Sequence, residues 1–147
     1  MKPIDDHRDL AAWRKAISVG GKVYMATRQL PLEERGDLGP LLRGSAVSIA
    51  RHIAEGAVRG NRAEFLQFLH LALRSLSQLE AQMTIVVDQG LLPTDASALN
   101  DLTELGQLLT ELIQSLTLSG RQAHARACSP PLLPRKMPRT PAPLASG

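Results

Sequence analysis

The sequence predicts an all-α protein, an antiparallel up-down-up-down four-helix bundle followed by a disordered, proline-rich C-terminal tail. Apolar residues recur at alternating steps of three and four, the period of a helix that packs along one side. Prolines divide the 147-residue chain, because none falls between Pro40 and Pro93 and six of the ten lie at or after Pro130. Four long helices joined by short loops pack most simply as an antiparallel bundle. We expect the bundle over residues 1–119 and the tail over residues 120–147.

The first helix is expected from about Asp9 to Leu30, because Pro31 would end it. Its apolar seam would contain Leu10, Trp13, Ile17 and Tyr24. Gly20 and Gly21 lie inside this helix, where each would cost about 1 kcal/mol relative to alanine. We interpret the pair as a place where a neighbouring backbone comes close, and a locally weak helix is the alternative.

The second helix is expected to begin at Asp37, a good N-cap, with Pro40 in its first turn, and to end between Gly56 and Gly60. Its apolar seam contains Leu42, Ala46, Ile49, Ile53 and Ala57. Small and ionisable residues border that seam at steps of three and four and form a polar stripe of Ser45, Ser48, His52 and Glu55. Most solvated helices carry long charged side chains in such positions, so we interpret the polar stripe as a candidate interface.

The third helix is expected to start at a capping-box-like pair, Asn61 and Glu64, and to run to about Gln89, with Gly90 as a left-handed stop. Its seam is a continuous heptad of Phe65, Leu69, Ala72, Leu76, Leu79, Met83 and Val86. Thr94 would cap a fourth helix. The seam of that helix contains Leu102, Leu105, Leu109, Leu112 and Leu116.

The third helix carries more apolar surface than a single seam requires. Its segment FLQFLHLAL spreads apolar residues over roughly 220° of the helix, about twice the usual width. The flanks are formed by Leu66 and Leu73 on one side and by Phe68 and Leu71 on the other. We predict that one flank is buried in a homo-oligomer. The alternative is a central helix that touches two neighbours.

Composition and motifs give no support for catalysis, a cofactor or a bound metal. Only four aromatic residues and one cysteine, Cys128, occur, so the core is expected to be aliphatic and the compartment reducing and cytoplasmic. No apolar stretch is long enough to span a membrane. His52 and Glu55 reverse the Glu-x-x-His order of di-metal bundles, and no second such pair occurs.

Charge is distributed unevenly along the chain. Residues 1–119 contain all 14 acids and 12 of the 17 Lys and Arg, a net charge of −2, whereas residues 120–147 carry +5. The first two helices and the loop after them are basic, and the fourth helix is acidic. The candidate nucleic-acid-binding residues are Arg14, Lys15, Lys22, Arg43, Arg51, Arg59 and Arg62. For Lys15 and Lys22, which point away from the expected seam, simple solvation is the alternative.

The segments LAAWRKA, LPLEERGDL, SAVSIARHIAEG, NRAEFLQFLHLALRSLSQLEAQM and QGLL, in this order, resemble the four helix bundle proteins encoded in bacterial 23S rRNA intervening sequences. The resemblance covers about residues 8–119. It implies an up-down-up-down bundle, a ring-like homopentamer and no enzymatic activity. Relatives in diversity-generating retroelements are accessory proteins that bind nucleic acid and a reverse transcriptase. Here His52 stands where the family usually has Asn, and Gly44 replaces a common Arg.

Together these observations predict a non-enzymatic, cytoplasmic homo-oligomer, a pentamer by the resemblance, without cofactor or metal and without a membrane partner. Structured RNA or DNA is one candidate partner, because the first two helices are basic. The alternative is a scaffold that binds another protein, because the polar stripe and the apolar flanks of the third helix are typical of protein interfaces.

Overall fold

A computed structural model describes residues 7, 10–93 and 96–128 of the chain. The secondary structure in these ranges consists of four α-helices. The helices in chain order are α1 (Ala11–Thr27), α2 (Leu32–Ala57), α3 (Arg62–Asp88) and α4 (Ala96–Cys128). α1 and α3 each pack against both α2 and α4, so the four helices surround one core. The predicted all-α fold with four helices is confirmed.

Neighbouring helices meet with their residue numbers in opposite order. The adjacent pairs are Ser45 with Gln82 and Gly56 with Phe65 between α2 and α3, and Leu76 with Gly106 and Arg62 with Gly120 between α3 and α4. Residue numbers rise along one helix while they fall along its neighbour, as in antiparallel pairs. The loops between successive helices are correspondingly short.

The core is aliphatic, as the composition predicts. All seven seam residues of α3 are buried, together with four of the five predicted for α2 and four of the five predicted for α4. Ala57 and Leu112 are half-buried and pack against the core. The heptad spacing of α2, α3 and α4 therefore identifies the inward side of each helix correctly.

The predicted seam of α1 is wrong for two of its four residues. Leu10 and Trp13 are half-buried and pack against the core, but Ile17 and Tyr24 do not. The buried side chains of α1 are the small ones, Ala12, Ala16, Val19, Val23 and Thr27. Ile17 and Tyr24 are 49% and 39% exposed. Small side chains let α1 lie close to the core, and the larger residues were mistaken for the inward side. The interpretation of Gly20 and Gly21 is also wrong within the chain, because a Cβ added to either would meet nothing within 4 Å.

The second helix begins earlier than predicted, at Leu32 rather than at Asp37. The carbonyl of Pro31 accepts hydrogen bonds from the backbone N–H groups of Glu34 and Arg35, which starts the helix directly after the proline. Glu33 and Glu34 then place negative charge in the first turn, where the helix dipole favours it. Pro40 consequently lies inside the helix.

The start of α3 agrees with the prediction. The Asn61 side chain accepts hydrogen bonds from the backbone N–H groups of Ala63 and Glu64 at 2.8 and 3.3 Å. Gly90, after its end, has a φ of +74°. The predicted cap Thr94 lies outside the described residues.

The fourth helix is longer than predicted. It continues through Gly120, where the tail was expected to begin, and reaches Cys128. Residues 129–147 lie outside the described residues. No helix in the described ranges combines the length and the apolar composition that a membrane crossing needs.

Candidate interaction surfaces

Lys15 and Lys22 form ion pairs with α4. Lys15 Nζ lies 2.8 Å from an oxygen of Asp101 and 2.6 Å from one of Glu104, and Lys22 also pairs with Asp101. The lysine hydrogen bonds lower the pKa of Asp101, and the hydrogen bond to Asp101 is the main cause of the raised pKa of Lys15. Lys15 is half-buried, whereas Lys22 remains exposed beside α4. Two of the seven candidate nucleic-acid-binding residues are therefore neutralised within the chain.

Arg43 and Arg51, both on α2, line one open groove. The Arg43 Nε donates to the Thr27 hydroxyl at 2.8 Å, and its guanidinium carbon lies 4.6 Å from the centre of the Tyr24 ring. The Arg51 side chain is 58% exposed, and its Nε is 4.0 Å from a Glu55 oxygen. Both arginines line a groove of about 500 Å³ on the outside of α1 and α2.

The other candidate basic residues do not join that groove. The Arg59 guanidinium lies over the Phe68 ring, 5.1 Å from its centre. Arg62 is half-buried beside Gly120 of α4, and its Nε has no hydrogen-bond partner. Arg14 is exposed on α1. The seven basic residues thus do not form one continuous surface.

The four residues of the polar stripe do not share one environment. Ser45 is 8% exposed and its hydroxyl donates to the Gln82 side chain at 2.9 Å. Ser48 donates to the carbonyl of Gly44 one turn earlier, at 2.8 Å. The His52 ring lies 6.3 Å from the Phe68 ring. Ser45 and His52 therefore face α3 of the same chain.

His52 favours the neutral form. Burial is the largest cause of its lowered pKa, Arg51 lowers the pKa further, and Glu55 opposes both. Its Nδ1 has no hydrogen-bond partner and lies 3.9 Å from a Glu55 oxygen, too far for a hydrogen bond. In the described part of the chain, no three His, Cys, Asp or Glu residues are grouped so that they could hold a metal ion.

Gly56 allows a close helix crossing that the sequence does not predict. A Cβ on Gly56 would lie 2.6 Å from the Phe68 Cβ and 2.8 Å from the Phe65 ring, so α2 and α3 cross here closely enough to require glycine. The position was interpreted only as an early end of the second helix. The signal that could have identified it is a glycine at the i+3 position from the seam residue Ile53.

The four residues predicted as an oligomer interface are all half-buried. Leu66 and Leu73 pack against the core, and Phe68 lies against Gly56 and His52. Contacts with α2 and α4 thus account for much of the wide apolar arc of α3, which was the alternative interpretation. Among these four residues, the structure offers no large exposed apolar side chain to a partner.

A different surface exposes apolar side chains. We define the outer α1–α2 face by Ile17, Tyr24, Pro40, Arg43, Gly44, Val47 and Arg51. Ile17 and Val47 are 49% and 48% exposed. Pro40, Gly44, Val47 and Arg51 follow one another at steps of four, three and four, so they share one side of α2. The sequence does not predict this face, because Ile17 and Tyr24 are expected in the core.

The opposite side of the bundle carries a second groove. We define the α3–α4 groove by Ser77, Glu80, Thr103, Gln107, Thr110 and Glu111. Its volume is about 440 Å³, and Glu80 and Glu111 are its ionisable lining residues. Because α1 contacts α2 and α4 while α3 contacts the same two helices, the outer α1–α2 face and the α3–α4 groove point in opposite directions.

The chain is similar to a known protein family. The model of a family described as 23S rRNA-intervening sequence protein matches residues 8–111. No curated protein matches the chain. The matched range contains α1, α2, α3 and α4 up to Glu111, and therefore includes every residue of the two surfaces defined above.

Proposed function

The chain belongs to the 23S rRNA-intervening sequence protein family, and we propose that it is a cytoplasmic, non-enzymatic protein that assembles with further copies of itself through the outer α1–α2 face. The observation that carries this proposal is the exposure of Tyr24 and Val47 in one groove, with Ile17 exposed two turns before Tyr24 on α1, on a side of the bundle that no other described helix covers. An exposed cluster of apolar side chains is typical of a surface that is buried in an assembly.

The composition of the outer α1–α2 face supports a protein partner. Tyrosine and arginine are enriched at protein interfaces, whereas lysine and glutamate are depleted. The groove contains Tyr24, Arg43 and Arg51, and neither a lysine nor a glutamate lines it. Gly44 and Pro40 add little side-chain bulk, so another helix could approach α2 closely.

The bonding of the candidate nucleophiles supports a role without catalysis. The Ser45 and Ser48 hydroxyls donate to the Gln82 side chain and to the Gly44 carbonyl. Neither serine is bonded to a base that could activate it, which nucleophilic catalysis by a hydroxyl would require. His52, the nearest imidazole along α2, faces the Phe68 ring instead.

Light scattering on the purified chain tests the self-association. We expect the unmodified chain to be multimeric and Val47→Glu to be monomeric with unchanged helical circular dichroism, because a buried glutamate would face the apolar surface of a partner. Ile85→Glu is the matched control, since Ile85 is 62% exposed on α3. A monomeric unmodified chain, or a Val47→Glu variant of unchanged mass, would contradict the proposal.

Nucleic-acid binding is the second candidate function, favoured by the exposure of Arg14, Arg51 and Arg59 and by the net charge of +5 over residues 120–147. An assembly would repeat these arginines and add their potentials. The family description names an rRNA sequence, which is said of the family. Because Lys15 and Lys22 are ion-paired, they contribute little charge to such a surface.

A salt titration with structured RNA and duplex DNA tests this second function. We expect the affinity to fall as the salt concentration rises. Arg51→Gln should reduce the slope of log affinity against log salt concentration by about one, because each phosphate contact releases roughly one counterion. Lys15→Gln is the matched control and should bind as the unmodified chain does. If the unmodified chain does not bind nucleic acid at low salt, or if both variants lose affinity equally, the second function is contradicted. Loss only after removal of residues 129–147 would assign binding to the tail.

A further inference from the structure

We propose that the segment after α4, residues 129–147, folds back along that helix and binds the α3–α4 groove of its own chain. This segment contains six prolines, three basic residues and no acidic residue. The inference does not depend on self-association, because the groove and its occupant belong to the same chain.

The groove and the segment carry opposite charge. Glu80 and Glu111 are the ionisable residues that line the groove. Among the described residues, no basic group forms an ion pair with either glutamate. The segment supplies Arg135, Lys136 and Arg139. The groove therefore offers carboxylates to a segment that has none of its own, and complementary charge of this kind fixes the position of a contact.

The length of the segment brings these charges to the groove. Pro130 and Pro131 cannot continue α4, which ends at Cys128, and they favour the extended polyproline II conformation. At about 3.1 Å per residue, residues 135–139 would lie roughly 22–34 Å beyond Cys128. Glu111 lies about 26 Å before Cys128, because a helix rises 1.5 Å per residue. A segment that reverses direction after Cys128 can thus place its basic residues beside Glu111.

One side of α4 connects the end of the helix to the groove. The exposed residues on that side follow one another at steps of four, three and four and are Gln107, Glu111, Gln114 and Leu118. Leu118 is 57% exposed and lies about 15 Å before Cys128. Leu132 and Leu133 would lie about 12–16 Å beyond Cys128 in an extended segment. The reversal therefore brings two leucines to the level of an exposed leucine, and their contact would bury apolar surface.

The polar lining of the groove suits a proline-rich segment. Backbone carbonyl groups in a polyproline II segment form no internal hydrogen bonds, so they need donors from outside. The amide of Gln107, which is exposed in the groove, can donate to them. The Thr103 and Thr110 hydroxyls already donate to carbonyl groups one turn earlier in α4. These hydroxyls retain lone pairs that can accept hydrogen bonds from a guanidinium.

Disulfide trapping in the full chain tests the inference. A Cys128→Ser background removes the only cysteine. In it, Met137→Cys is combined with Thr110→Cys in the groove or with Val58→Cys as the control. Under mild oxidation, we expect the Thr110 combination to form its disulfide at least about tenfold faster, because docking raises the effective concentration of the two thiols. Its product should have the mass of one chain.

The control position is accessible to the same segment. Val58 is 73% exposed at the end of α2, a helix that does not contact α4. The end of α2 packs against the start of α3, and the start of α3 lies beside Gly120 of α4. Val58 therefore lies at the end of the bundle from which the segment leaves. Chain length alone would favour Val58 at least as much as Thr110.

Charge reversal supplies the second readout. Glu111→Arg should slow the Thr110 combination to the rate of the Val58 control, because it would repel the basic residues of the segment. An arginine beside a thiol favours the reactive thiolate, so slower formation would report the loss of docking. Glu33→Arg, an equal change of charge in the first turn of α2, should have no effect.

Three results would overturn the inference. They are equal rates for the Thr110 and Val58 combinations, a disulfide product with the mass of two chains, and an unchanged rate in Glu111→Arg. None of them bears on self-association through the outer α1–α2 face, which Val47→Glu tests separately.

Discussion

The contact between α2 and α3 and the contact between α1 and α4 border the same core, but different interactions hold them. α2 meets α3 through close packing, with Phe65 and Phe68 against Gly56 and with a hydrogen bond from Ser45 to Gln82. α1 meets α4 partly through the shared apolar core and partly through charge, with Lys15 and Lys22 on Asp101. The first contact depends on shape at single positions, and the second depends on protonation and on ionic strength.

This difference predicts different responses to substitution. A packed contact tolerates no added volume, because the backbone around it cannot relax freely. An ion-paired contact near the surface is weaker, because water and salt screen it. The α2–α3 contact should therefore respond strongly to a single methyl group, and the α1–α4 contact should respond mainly to acid and to salt.

Gly56→Ala should have the largest effect. The new Cβ would lie 2.6 Å from the Phe68 Cβ, an atom that cannot move without its backbone, so α2 and α3 must separate. Overpacking of this kind costs about 1–3 kcal/mol, against which alanine gains about 1 kcal/mol of helix propensity. We expect a net loss of up to about 2 kcal/mol in the free energy of unfolding, measured by urea denaturation.

Gly21→Ala is the control for that measurement. A Cβ on Gly21 meets nothing within 4 Å, so the helix propensity of alanine should act alone and stabilise the chain. If Gly56→Ala is as stable as Gly21→Ala, the close approach of α2 and α3 is absent in solution and the contrast between the two contacts fails.

Asp101→Asn should have a smaller effect, of about 1 kcal/mol, since both lysines would lose their shared carboxylate. The hydrogen bonds from Lys15 and Lys22 lower the pKa of Asp101 below its ordinary value of 3.8. The stability it contributes is therefore present above about pH 3.8 and is lost as the pH falls through the lowered pKa. Thermal denaturation should show a smaller loss between pH 5 and pH 3 in the Asn variant than in the unmodified chain.

Salt provides the control for Asp101. At high ionic strength the unmodified chain and Asp101→Asn should approach the same stability, because screening weakens the ion pairs that the variant lacks. A difference between them that salt does not change would indicate that packing, rather than charge, holds α1 against α4.

The sequence predicts the α2–α3 contact better than the α1–α4 contact, for a physical reason. The heptad of α3 and the seam of α2 consist mainly of large apolar residues, whose period indicates the inward side directly. α1 instead buries Ala12 and Ala16 and exposes Ile17, so the size of its residues misleads. Asp101 is 86 residues from Lys15, and no local pattern indicates that they meet.

The candidate surfaces show the same limit. The seven basic residues can be found from composition, but only the packing of α1 shows that Lys15 is neutralised and that Arg43 lies on Tyr24. The exposure of Val47 could have been predicted, because it lies outside the α2 seam. Its neighbour Tyr24 could not, because the orientation of α1 was assigned incorrectly.

His52→Asn should have the smallest effect and sharpens the comparison by testing the ionisable group within the α2–α3 contact. Burial lowers the pKa of His52 below its ordinary value of 6.5, so the unfolded chain takes up a proton that the folded chain resists. The free energy of unfolding should therefore fall as the pH decreases below about 6.5. The loss should be no more than about 0.5 kcal/mol, as is usual for partly exposed sites. Asparagine does not titrate, so the variant should be flat between pH 7 and pH 5. Asp101 affects stability only at lower pH, so it does not disturb this comparison. If stability depends on pH between pH 7 and pH 5 equally in His52→Asn and in the unmodified chain, His52 is as accessible to protons in the folded chain as in the unfolded one. The packing around Phe68 would then not shield it.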